Sequence, residues 1–169
     1  MEEFEIKFYD PRDLVLGDKR VTLRLAREDG DKYDKFEVGH SFALDIEDSA
    51  DDEFTPLGTI LGHWKVSFQE ILPEFLLAEG YKVEIDNKKD SKEDFERELR
   101  TIAQEDLENY YTLDDNTLFH IIVYSMDENF DLDLLQRPQE TPKSWLDRCS
   151  NKVFGHIESY REFKQCVEK

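Results

Sequence analysis

Cysteine, glycine and proline are all scarce in this 169-residue chain, with two, seven and five respectively. Two cysteines, Cys149 and Cys166, cannot build a disulfide scaffold, and neither belongs to a C-x-x-C pair. That usage points to reduced thiols and a cytoplasmic setting. The scattered glycines and prolines exclude collagen-like or low-complexity character. No secretion signal is expected either, because Met1 to Glu5 carries neither a basic start nor an apolar segment. The most apolar stretch, residues 57–78, contains His63, Lys65, Gln69, Glu70 and Glu74, so no membrane span is expected.

The familiar catalytic fingerprints are absent as well. There is no G-x-S-x-G, H-E-x-x-H, phosphate-binding P-loop or dinucleotide fingerprint. The expectation is therefore a protein that is not an enzyme and carries no cofactor.

What the chain does have is aromatic bulk and negative charge. Twelve phenylalanines within a 12% aromatic content give a core despite 37% charged residues. At this length one domain, residues 1–169, buries about two thirds of the surface its unfolded form exposes. The net charge of −19 is unevenly spread: residues 36–64 hold seven carboxylates and 101–136 hold nine, and neither block contains Lys or Arg. A one-sided field of this kind attracts cationic partners and repels nucleic acid and anionic lipid.

Period-two alternation marks strands at 4–8, 21–25 and 36–46, with Asp29-Gly30 as a hairpin turn between the last two. In the third strand Phe36, Val38, His40, Phe42, Leu44 and Ile46 share one face. Residues 57–66 resist assignment. Ser67 and Glu70 have capping-box spacing for a helix near 68–79, which Pro73 would kink or delay. A short strand is expected at 81–85, and Ser91 opens a helix whose buried stripe is Phe95, Leu99, Ile102, Ala103 and Leu107. On that helix Glu93/Arg97 and Glu96/Arg100 have i,i+4 spacing. Residues 118–126 are apolar on both faces, as in a central strand, and 129–135 fits an edge strand or a short helix. Thr141-Pro142 starts a final helical region with a break near Gly155. The expected architecture is α+β in the order βββ-α-β-α-β-α: a mainly antiparallel sheet, beginning with a three-stranded meander, packed by about three helices.

Candidate chemistry is sparse. His40 and His120 lie in strand registers and would suit acid–base catalysis as a pair, although satisfied sheet histidines are the commoner outcome. Asp127, Asn129 and Asp131 match the opening of a calcium loop, but Leu132 replaces the turn glycine and Pro138 the closing glutamate, so no metal is assigned there. Cys149, His156 and Cys166 lack zinc-site spacing.

The sequence thus favours an acidic inhibitor of a basic, nucleic-acid-acting protein, of toxin-immunity or DNA-mimic type. Asp45, Glu47, Asp48, Asp51, Asp52 and Glu53 would form one contact patch. Glu105, Asp106, Glu108, Asp127, Glu128, Asp131 and Asp133 would form the second. The alternatives are a small enzyme using carboxylates or His40 and His120, with or without a divalent cation, and a scaffold subunit. Oligomeric state is not encoded in any pattern found.

Overall fold

The computed structural model describes residues 5–8, 20–46, 57–84, 91–127 and 129–167. It is an α+β fold built on one five-stranded sheet: β1 (Glu5–Phe8), β2 (Val21–Leu25), β3 (Ser41–Ile46), β4 (Leu57–Ser67) and β5 (Leu118–Ser125). The order across the sheet is β1-β3-β4-β5-β2, with β1 parallel to β3 and every other pairing antiparallel. The first three strands therefore do not form the expected meander. β2 crosses to the far edge to pair with β5, and the consecutive antiparallel run is β3-β4-β5. The Asp29-Gly30 turn is real, with Gly30 at φ 103°, but it feeds a 3-10 turn at Lys32–Lys35 rather than a strand. Alternation in sequence reveals strands, not which strand pairs with which.

Among the described residues there are four α-helices: α1 (Pro73–Glu79), α2 (Lys92–Glu108), α3 (Pro142–Phe154) and α4 (Glu158–Val167). Pro73 opens α1 at its first turn, where its missing N–H costs nothing, so Phe68–Glu70 folds separately as a 3-10 turn. Ser67 Oγ donates to Glu70 Oε1 at 2.6 Å but caps no backbone N–H. Gly80 ends α1 in the left-handed region, at φ 119°. Ser91 caps α2 as expected, with Asp94 returning the capping-box bond. Gly155 separates α3 from α4. Residues 81–84 form no strand, and 132–134 is a 3-10 turn.

The two faces of the sheet are covered differently. Val21, Leu23, Trp64, Phe119, Ile121 and Val123 point to the helices, where Phe95, Leu99, Ala103 and Leu107 of α2 are buried against them. Aromatic contacts join the helices to one another and to the sheet, with Phe95 and Phe163 centroids 5.2 Å apart and Trp64 of β4 5.8 Å from Trp145. The exposed face of α2 pairs differently from its spacing: Arg97 meets Asp94. Arg100 turns inward to donate to the carbonyls of Phe68 and Ile71 at 3.0 and 2.7 Å. The opposite face of the sheet carries a smaller cluster of Phe36, Phe42, Ile60, Ile122 and Tyr124, roofed by the 26–40 segment. No helix among the described residues is long and apolar enough to cross a membrane.

Candidate functional site

β4 holds the device that places polar side chains under the 26–40 roof. Its register with β5 passes from Ile60↔Tyr124 to Gly62↔Val123, so Leu61 is an extra residue, a β-bulge. Before the bulge, even-numbered residues of β4 face the small cluster; after it, odd-numbered ones do. Leu61 and Trp64 both enter the helix-side core as a result, while His63 and Lys65 point under the roof. Gly62 makes this possible, because a Cβ there would lie 2.5 Å from the Trp64 ring.

His63 thereby meets His120 of β5. His63 Nε2 and His120 Nδ1 are 2.8 Å apart, and their ring centroids 4.9 Å. On the far side His63 Nδ1 donates to the Phe36 carbonyl at 2.7 Å, and His120 Nε2 lies 2.9 Å from both oxygens of Asp31. Asp31 is itself the cap of the 3-10 turn, accepting from the N–H groups of Arg27 and Tyr33 at 2.9 and 2.8 Å. Asp34 bonds back to the Asp31 N–H at 2.7 Å, lies 3.9 Å from His120 Nε2 and is 3.6 Å from Lys65 Nζ. The result is one hydrogen-bonded chain from Phe36 through His63 and His120 to Asp31, pinning the roof to the sheet.

Its electrostatics follow from burial. His120 is fully buried and Asp31 is 12% exposed. Burial pushes the Asp31 carboxyl up, but the bonds from His120, Arg27 and Tyr33 outweigh it and bring it down to about 2. Burial holds the His63 imidazole below its ordinary value, against the opposing pull of the Phe36 carbonyl.

Proton counting constrains the pair further. Three hydrogen bonds run through two rings and end on two acceptors, a carbonyl and a carboxylate, so three ring protons are needed where two neutral imidazoles supply two. With the Phe36 carbonyl taking the His63 Nδ1 proton, a third proton or another cation must stand between His120 Nε2 and Asp31.

The alternative pairing of His40 with His120 does not form, and His63 is the partner of His120 instead. His40 is 55% exposed and pairs with Glu37 at 3.4 Å, because Gly39 at φ 87° turns the chain before β3 begins. His63 fell in the unassigned stretch, and Asp31 and Asp34 in what read as a plain hairpin. Two signals were present in the sequence: Asp31 and Asp34 have capping-box spacing, and His63 and Lys65 have strand spacing.

The acidic residues separate into two ends. Glu105, Asp106 and Glu108 are exposed on the last turns of α2, next to exposed Tyr110 and close to the start of β5, where Tyr111 packs on Phe119. Asp127, Asp131 and Asp133 are exposed beyond the end of β5, about 26 Å along the strand at ~3.3 Å per residue. Asp45, in β3, belongs to that second end, since Ser41 and Ser125 share the partner Thr59 on β4. Glu47, Asp48, Asp51, Asp52, Glu53 and Glu128 lie outside the described residues. Near Asp127 the carboxylates serve turns: Asp127 accepts from Asn129 N–H and Asp131 from Asp133 N–H, each at 2.9 Å. Those bonds give the carboxylate spacing a structural role in the turns. Cys149 is a buried thiol whose burial pushes it up, 3.7 Å from the Asp133 carbonyl.

No protein-family model and no curated protein matches the chain. Among solved structures it is similar to one described as the high-resolution crystal structure of the ASCH domain from Lactobacillus crispatus JV V101. The identity is 18% and the TM-score 0.40, over 72% of this chain and 78% of that one.

Proposed function

We propose that the chain is an acidic binding module that occupies the basic, nucleic-acid-gripping surface of another protein in the cytoplasm, with the end of α2 as its main contact. The observation that carries this reading is electrostatic. The last turn of α2 contains no basic residue and three carboxylates, Glu105, Asp106 and Glu108, all at the negative end of the helix dipole. Each is unfavourable there by about 0.3–1 kcal/mol. Asp106 accepts from Tyr81 OH at 2.7 Å and Glu108 from Gln104 at 2.9 Å, which offsets part of that cost. Glu105 has no such bond among the described residues. Beside them Tyr110 is 74% exposed. Carboxylates around an exposed tyrosine match what an Arg- and Lys-rich surface binds: charge-assisted hydrogen bonds at the rim and an aromatic anchor at the centre.

The reading predicts a trade between stability and binding. Glu105→Gln with Glu108→Gln should raise unfolding free energy by about 0.5–1 kcal/mol through relief of the dipole conflict. The same pair should slow association with the captured basic partner and flatten its salt dependence. Unchanged binding in that variant would remove the end of α2 from the interface.

A further inference from the structure

We propose that His120 Nε2, Asp31 and Asp34 form a binding site for a divalent transition-metal ion of the zinc class, supported from behind by His63 and the Phe36 carbonyl. The three donor groups lie within 4.8 Å of one another. Nε2 is 2.9 Å from Asp31 and 3.9 Å from Asp34, whereas two donors at ~2.1 Å from one tetrahedral ion stand roughly 3.4 Å apart. Measured from Nε2, a shift of about half an ångström in each carboxylate reaches that spacing, with the two carboxylates, within 4.8 Å of each other, closing onto the ion. His120 is fully buried while Asp34 is 38% exposed, so the site has a fixed nitrogen at its base and a way in from solvent.

The hydrogen-bond chain behind His120 supplies the independent observation. A metal-bound histidine gives its other ring N–H to a fixed acceptor, which sets tautomer and orientation. With an ion on His120 Nε2, its Nδ1 carries the ring proton and donates to His63 Nε2, 2.8 Å away, while His63 Nδ1 donates to the Phe36 carbonyl. Two neutral rings complete that chain with Nε2 free to act as a ligand, and Nε2 lies 2.9 Å from Asp31 and 3.9 Å from Asp34. A cation belongs in that position; a proton fills it minimally, and a metal ion fills it with all donors engaged. One histidine and two carboxylates are a nitrogen–oxygen set that suits zinc-class ions better than magnesium or calcium.

Two cations stand nearby. Lys65 Nζ is 3.6 Å from Asp34 and also donates to the Arg27 carbonyl. Arg24 is the register neighbour of His120 on β2 and gives its Nε to Thr22 Oγ1 at 3.0 Å. Lys65 therefore competes directly with an ion for Asp34.

Calorimetric titration of the full chain with zinc chloride, with magnesium chloride as the contrasting probe, tests the proposal. One saturable zinc site is expected, with magnesium bound more weakly. Asp34→Asn should weaken zinc about tenfold or more, and Lys65→Gln should tighten it several-fold. Both side chains are partly exposed, so the variants should keep the wild-type circular dichroism, and Asp131→Asn with Asp133→Asn should leave zinc affinity unchanged. Absence of a saturable site overturns the proposal by leaving a proton as the occupant. Zinc affinity insensitive to Asp34 and Lys65 overturns it by placing the ion on the general acidic surface.

Discussion

Replacing Asp31 by Asn probes the roof-to-sheet connection with little change of shape. The carboxylate accepts from two backbone N–H groups and faces His120 Nε2 with both oxygens, and an amide has only one oxygen to offer. A carboxyl brought from 3.8 down to about 2 stabilises the fold by roughly 2–2.5 kcal/mol at neutral pH, at 1.36 kcal/mol per unit. Asp31→Asn should therefore lose about 2–3 kcal/mol at pH 7, measured by urea unfolding followed through the buried Trp64 and Trp145. The sign of the pH dependence is fixed. The folded value is depressed, so the contribution is complete above the unfolded value near 4 and disappears as pH falls through the folded value. The gap between wild type and variant should shrink to about half by pH 3. A gap below about 0.5 kcal/mol at pH 7, or one that stays constant between pH 7 and pH 3, would refute the reasoning.

Two other substitutions test the surrounding frame. Gly62→Ala sets a methyl group against the Trp64 ring and should cost about 1–3 kcal/mol, with a changed near-ultraviolet signal from Trp64; an unchanged spectrum would contradict the tight bulge. Arg148→Met leaves Glu140, 6% exposed, without the guanidinium that contacts both its oxygens at 2.8 and 2.9 Å. It should cost about 3–5 kcal/mol at neutral pH, and adding Glu140→Leu should recover much of that. Because the bonds from Arg148 hold Glu140 below its ordinary value, the stabilisation should be lost as pH falls into the acid range.

Much of the fold was legible where local chemistry decides local structure. Ser91 with Asp94, Thr141-Pro142 and Gly155 mark helix ends through backbone groups that must be capped or broken, and α2, α3 and α4 begin or end there. The apolar run at 118–126 is an interior strand, flanked by β4 and β2, although β4 is the central one. Pairing was not legible, because β2 finds β5 across nearly a hundred residues and alternation has no partner information in it. The polar site was hidden for a related reason. A single extra residue, Leu61, changes which face His63 occupies, so strict alternation misplaces every polar side chain after it. The acidic blocks were visible as totals, but a strand's length separates carboxylates adjacent in composition, and among the described residues of those blocks only the carboxylates on α2 stand against their own helix dipole.

The most direct measurement of the binding role is competition between a captured partner and duplex DNA. The immobilised chain should retain basic nucleic-acid-acting proteins from a cell lysate at low salt, release them on addition of duplex DNA, and fail to retain them after Glu105→Lys with Glu108→Lys. Retention that persists in high salt, is indifferent to DNA and survives the charge reversal would contradict an acidic module competing for a nucleic-acid surface.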